Sequence, residues 1–326
     1  MNTIFPMRHF FLYRLIFVLV RVVVLLLLVP TSARAAISCN VSMPPIAFGN
    51  VDVLSGGAVA TTSTVTVHCT GLGSTGGRVC ISIGAGSASD AISRNLIGPG
   101  GATARYDLYQ DAAHTQLWGS WQTGYDTAGV QVDTNPTNGT ATLNVPVYAN
   151  FFGSQQTAAA GSYSSTFAAD PYIQYGPRGS TSCPTGGSTA SSSSSATATV
   201  LGACYVSATN INFGTVGVLA SSTDGTGTVT VQCSPALPYT VSLNGGNSGA
   251  TNPTLRKMSF SGSTVTYGLY RDSARSQPWG DTVGSNAAAG TGTGSPQNLT
   301  VYGRVPAQTT PAPGTYSDTI VVTVAY

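Results

Sequence analysis

Gly314-Thr315-Tyr316-Ser317-Asp318-Thr319-Ile320-Val321-Val322-Thr323-Val324-Ala325-Tyr326 closes the chain and decides how the rest is read. β-branched and aromatic residues dominate it, with no proline and no glycine after Gly314. In an extended chain Ile320, Val322, Val324 and Tyr326 share one face, and Thr319, Val321, Thr323 and Ala325 share the other. A strand this apolar belongs in a core. Its edge is covered either by an earlier strand of the same chain, as in an ordinary sandwich, or by a strand supplied by a partner.

The whole chain has the composition of an all-β protein. Of its 326 residues 7% are charged, 39 are Gly and 18 are Pro. Glutamate is absent and Lys257 is the only lysine, so strong helix formers are scarce while Thr, Ser, Val and Gly abound. The length suggests two domains. Residues 1–35 read as a secretory signal: Arg8, Arg14 and Arg21 precede the apolar run Val22 to Val29, and Ala33-Arg34-Ala35 is a small-x-small cleavage site. Removing it takes away four arginines, so the formal charge moves from +2 to −2, nine basic residues against eleven aspartates. No polybasic patch for nucleic acid or anionic lipid remains.

The same ordered pattern occurs twice. Cys39-Asn-Val-Ser, Ile46-Ala-Phe48-Gly49 and Thr64-Val-Thr-Val-His-Cys69 return as Cys204-Tyr-Val-Ser, Ile211-Asn-Phe213-Gly214 and Thr228-Val-Thr-Val-Gln-Cys233. Tyr106-Asp-Leu-Tyr-Gln-Asp111 with Trp118-Gly119 returns as Tyr267-Gly-Leu-Tyr-Arg-Asp272 with Trp279-Gly280. Gly161-Ser-Tyr163-Ser164 returns as Gly314-Thr-Tyr316-Ser317. Two tandem domains of one fold follow, over residues 36–184 and 203–326. The intervening 185–202, with its run Ser191 to Ser195, has the composition of a flexible linker. Each domain offers about six short strands between turn residues, which suggests an antiparallel β-sandwich one strand short of the usual seven.

All six cysteines follow the signal, as expected for disulfides in an exported chain. Cys204 and Cys233 are alone in the second domain and should pair. By repeat symmetry Cys39 pairs with Cys69, which leaves Cys80 for Cys183.

This ordered motif set resembles the spore coat protein U (SCPU) domain family, over nearly the whole mature chain and twice. Two such domains behind one signal resemble the tip subunits of archaic (Csu-type) chaperone–usher pili. The resemblance implies tandem immunoglobulin-like sandwiches, the second incomplete. It would be held by a periplasmic chaperone, pass an outer-membrane usher, and be completed by the N-terminal strand of an adjacent pilin. Ile320, Val322, Val324 and Tyr326 are the expected acceptor residues. Only Ala36, Ile37 and Ser38 separate the cleavage site from Cys39, too few for a donor strand of five or six residues, so the expected place is the distal end of a surface fibre. A secreted structural coat protein is the rival reading.

Enzyme chemistry finds no footing in the motifs. The mature chain has His68 and His114, whose repeat counterparts are Gln232 and Arg275. No Gly-x-Ser-x-Gly or His-Glu-x-x-His stretch and no Cys-x-x-Cys pair occurs. Asp133 to Asn144 fails as a calcium loop, with Asn138 where glycine is needed and Asn144 where glutamate is needed. No cofactor or metal is expected, and Asp111 and Asp272 read as turn residues.

Aromatics matched between the repeats are assigned to the fold. What remains in the first domain is Trp121, Tyr125, Phe151 and Phe152, and the glycine-bounded Leu96-Ile97. These are the expected exposed loop tips, suited to attachment to an abiotic or host surface through apolar contact.

Overall fold

The computed structural model describes residues 35–54, 56–88, 93–121, 128–179, 183 and 187–326. Residues 1–34 of the expected signal segment and Tyr125 lie outside them.

The first domain contains β1 (Ser38–Ser42), β2 (Ile46–Val51), β3 (Val59–Thr70), β4 (Gly77–Ser82), β5 (Arg94–Ile97) and β6 (Thr103–Tyr109). It continues through β7 (Val130–Asp133), β8 (Ala141–Phe151), β9 (Gly161–Phe167), β10 (Tyr172–Pro177), β11 (Ser188–Ser191) and β12 (Ser194–Val200). One sheet runs β1-β3-β8-β6-β5-β9-β12-β2, the other β11-β10-β4-β7. Period-two burial forms the core: Val65 and Val67 of β3 and Val147, Ala149 and Phe151 of β8 point inward, while Thr66 and Tyr148 face outward.

The second domain repeats this with β13 (Cys204–Ala208), β14 (Thr223–Cys233), β15 (Pro238–Leu243), β16 (Arg256–Phe260), β17 (Ser263–Tyr270), β18 (Ala288–Thr291), β19 (Gln297–Val305) and β20 (Val322–Ala325). Its sheets run β13-β14-β19-β17-β16 and β18-β15-β20. The molecule is therefore all-β, two tandem immunoglobulin-like antiparallel sandwiches with separate cores. Both domains exceed the six strands expected from sequence, because four-residue strands such as β5, β7 and β18 are too short to declare a period.

The expectation of a flexible linker is overturned. Residues 185–202 contain β11 and β12. The reason is visible in Ser194-Ser-Ala-Thr-Ala-Thr-Val200, where Ala196, Ala198 and Val200 alternate with Ser and Thr and are buried. Polar composition masked a strand whose inward side chains are small.

The three disulfides are the expected ones: Cys39–Cys69, Cys80–Cys183 and Cys204–Cys233. The first and third join directly opposed residues of β1 with β3 and of β13 with β14. Asp111 and Asp272 are turn residues as read: Asp111 accepts from the N–H groups of Thr115 and Gln116, and Asp272 from those of Ser276 and Gln277.

Candidate functional site

In the first domain β12 lies between β9, to which it is antiparallel, and β2, to which it is parallel. Ala196 stands opposite Ser165 and Ile46, Ala198 opposite Tyr163, and Val200 opposite Gly161 and Val51. This strand closes the sandwich. Ile46, Phe48, Val51, Tyr163 and Phe167 around it are all buried.

In the second domain the flanking segments are present and no described strand lies between them. Gly314–Ile320 takes the place of β9: its Ser317 bridges to Ser259 of β16, as Ser164 of β9 bridges to Ile97 of β5. Residues 211–216 take the place of β2 and are not in a strand. Ile211 packs over Gly225 and Gly227, and Phe213 over Gly303, where a Cβ would meet the Phe213 ring at 2.8 Å. Between the two segments runs a groove. Ile211, Phe213, Tyr316 and Ile320 are half-buried where their first-domain counterparts are fully buried. Val216 is 40% exposed against 1% for Val51.

One polar cluster sits in this groove wall. Asp318 accepts a 2.6 Å hydrogen bond from the Tyr267 hydroxyl and bonds from the N–H groups of Asn247 and Thr319. Burial first, then Asp318, pushes the Tyr267 phenol well above its ordinary range. The first domain has Ser165 at that position, and burial first, with a smaller push from Asp107, raises the Tyr106 phenol to about 12 against the opposing Arg94 charge and Ser165 hydroxyl.

The groove lies mainly upstream of the stretch expected from sequence. Of the four expected acceptor residues, Ile320 borders it. Val322 and Val324 lie on β20, paired to β15 in the other sheet and half-buried, and Tyr326 is 62% exposed. The residues missed were Ile211, Phe213 and Val216. The signal exists in the repeat, because Phe48 and Phe213 match, but a match between repeats points to the fold that they share and not to a difference in how each copy is covered.

The expected loop tips divide. Leu96 and Phe151 are buried, contrary to expectation: Leu96 points inward from β5, and Phe151 is the last inward residue of β8, packed on Phe48 with ring centroids 5.7 Å apart. Ile97 is exposed. Phe152 is half-buried under the Arg105 guanidinium, 5.3 Å from its ring centre. Trp121 is half-buried against Gly129, with its backbone N–H donating to Ser82 Oγ.

A further shared feature escaped the sequence reading. Arg94 and Arg256 are fully buried. Arg94 donates to the carbonyls of Ile83, Gly84 and Trp118 and pairs with Asp107 at 3.4 Å. Arg256 donates to those of Leu243, Asn244, Pro253 and Trp279. Each binds the end of β4 or β15 to the Trp-Gly turn. His68 lies on the outer face with its Nδ1 3.0 Å from Thr142 Oγ1, and His114 packs on Tyr109. Among the described residues no three of His, Cys, Asp or Glu converge in a metal-binding group.

The model of the Spore Coat Protein U domain family matches residues 25–170 and 190–323. Protein U of Myxococcus xanthus is 33% identical over 159 residues, 44% of this chain and 88% of that protein. Among solved structures, the CsuC–CsuE chaperone–tip adhesion subunit pre-assembly complex of Acinetobacter baumannii archaic Csu pili aligns with a TM-score of 0.52 at 18% identity. It covers 89% of this chain and 100% of that one, and shows a shared fold. The CupB6 tip adhesin of Pseudomonas aeruginosa aligns over 89% of this chain and 94% of its own, with a TM-score of 0.40 at 12% identity.

Proposed function

Because this chain belongs to the Spore Coat Protein U domain family, we propose that it is the tip adhesin of a chaperone–usher pilus, a non-enzymatic subunit exported through the periplasm. Its second domain, residues 203–326, accepts a donor strand, first from a periplasmic chaperone and then from the adjacent pilin after passage through an outer-membrane usher. The first domain extends to residue 202, since β12 belongs to it, and residues 1–35 are the cleaved signal.

The observation that carries this reading is the difference between the two copies of one fold. The first holds β12 where the second has an open groove lined by Ile211, Phe213, Tyr316 and Ile320. An added strand supplies ladder hydrogen bonds to both flanking segments and covers apolar side chains at about 25 cal/mol per Å². The first domain, already closed, is left to present Ile97, Trp121 and Phe152 to an abiotic or host surface and so to support attachment and biofilm growth.

The test is periplasmic co-expression with a pilus chaperone. Co-purification of the two, lost on Phe213→Asp or Ile320→Asp with export unchanged, is the expected result. A chain that purifies alone and monomeric beside the chaperone would sink the reading. Similarity to Protein U favours a second reading, a self-associating secreted coat protein, for which the chain alone would form ordered assemblies.

A further inference from the structure

We infer that the acceptor site of the second domain spans both sheets, and that the segment it takes is a two-part strand that crosses from one sheet to the other. The inference deepens the donor-strand reading above and rests on it.

The first domain supplies the template. Its closing segment does not occupy one groove only. β11 first pairs with the free edge of β10, Ser191 opposite Tyr172 and Ser188 opposite Tyr175. Ala190 turns inward from it onto the core. The chain then crosses at Ser192 and Ser193, where the Ser192 N–H donates to the Pro171 carbonyl, and enters the other sheet as β12. Together β11 and β12 cap two exposed flanks of the sandwich, with β11 lying against β1.

The second domain lacks described counterparts of both parts, and both flanks show it independently. On the β12 side lies the groove already described. On the β11 side β20 is paired to β15 along one edge and to no described strand along the other. Val324 faces Val241 there, as Ile173 faces Ile81 in the first domain, yet Ile173 is buried and Val324 half-buried. Val206 of β13 is 38% exposed where its counterpart Val41 of β1 is 6%. A strand confined to the groove would leave Val206 and the outer edge of β20 uncovered. One continuous segment, with a small inward residue on β20, a two-residue crossover and alternating apolar residues in the groove, covers all of them.

On the donor-strand reading above, the occupant is an extended segment of the adjacent pilin, and the two flanks make it roughly twice the length of an ordinary strand. It runs antiparallel to β20 and then antiparallel to Gly314–Ile320, as β11 and β12 run to β10 and β9.

The experiment appends the chain's own 179–200 segment, with serine at the position of Cys183, after Tyr326 of the two-domain chain, so that the second domain acquires the connectivity of the first. Hydrogen exchange is compared with the unmodified chain and with two further versions. One carries proline at the appended position of Ala190, the other at that of Ala198. The intact appendage should slow exchange by about tenfold or more at outward amides both of β20 and of Gly314–Ile320. Proline at the first position should release β20 and leave the groove protected. Protection of the groove without any change at β20 from the intact appendage overturns the two-sheet inference and leaves the donor-strand reading standing. Protection of neither overturns both.

Discussion

Two adjacent phenylalanines separate packing from presentation. Phe151 and Phe152 are chemically identical and consecutive, yet a strand turns them to opposite faces. Phe151 fills the core against Phe48. Phe151→Ser should cost about 3–5 kcal/mol of first-domain stability, as removal of a buried aromatic ring does, and lower its melting temperature sharply. Ile97→Ser with Phe152→Ser should leave the melt within a few degrees while reducing attachment to apolar surfaces, and high salt should not weaken attachment of the parent chain. A collapse of the melt in the second variant would show that those side chains are structural. The sequence carries the distinction: Val147, Ala149 and Phe151 keep a period of two that turns all three inward.

Asp170 gives the same scale a pH dependence. Burial pushes its carboxyl up to about 6 from 3.8, against opposing pulls from the Gly84 N–H and the Arg94 charge. The native state thus holds this proton more tightly than the unfolded chain. Its contribution is favourable below about pH 4, fades as pH rises through 6, and stays unfavourable above. Asp133 works oppositely: a hydrogen bond from Arg78 holds it below the usual carboxylate range, so its stabilisation is lost only under stronger acid. Asp170→Asn should therefore raise first-domain stability at pH 7 by about 1–2 kcal/mol, a figure reduced for partial solvent screening, and flatten the slope between pH 4 and 6. Urea titrations at pH 4, 5, 6 and 7 measure it, and an unchanged slope would show that Asp170 is hydrated in solution.

At the scale of elements, β12 decides what the molecule is. Ala196 and Ala198 sit between two strands with less than 5% exposure. Ala198→Asp would bury an unpaired carboxylate beside Tyr163, so the first domain should unfold or lose several kcal/mol. Thr197→Asp, one residue away on the exposed face, should be tolerated. Limited proteolysis distinguishes them: early cleavage near residue 198 in the first variant only. Equal sensitivity of both would mean that β12 does not close the sandwich. Long strands such as β3 and β14 were legible because Val-x-Val runs declare their period and face. β12 was not, because small inward residues among serines carry little hydropathy contrast. Its place between β9 and β2 is set by contacts that span the whole domain, beyond the reach of a local pattern. The buried Arg94 and Arg256 were hidden for a related reason. A charged residue reads as surface unless its repeat partner is noticed, and an arginine opening a short strand, as Arg94 opens β5 and Arg256 opens β16, gives no hint of the carbonyls that converge on it.

For the whole molecule, duplication puts a closed and an open version of one sandwich in the same chain, so each is the control for the other. The first domain has two disulfides, closing loops with sequence separations of 30 and 103, and a filled groove. The second has one, with a separation of 29, and half-buried Ile211, Phe213, Tyr316 and Ile320 along its open flank. Each long-loop disulfide contributes about 3–5 kcal/mol by restricting the unfolded chain. The open flank leaves apolar surface in water that the first domain buries. Calorimetry of the full chain should therefore resolve two transitions, the lower belonging to residues 203–326. Hydrogen exchange assigns them, since amides of β14 and β19 should be lost with the lower step and those of β3 and β8 with the upper. A bound strand stabilises only the state that binds it, by about 2.7 kcal/mol at a hundred times its dissociation constant. Saturation with a chaperone or donor strand should move the lower transition up and leave the upper in place. A single transition in the free chain, lost together by all four strands, would mean that the second sandwich is as complete as the first.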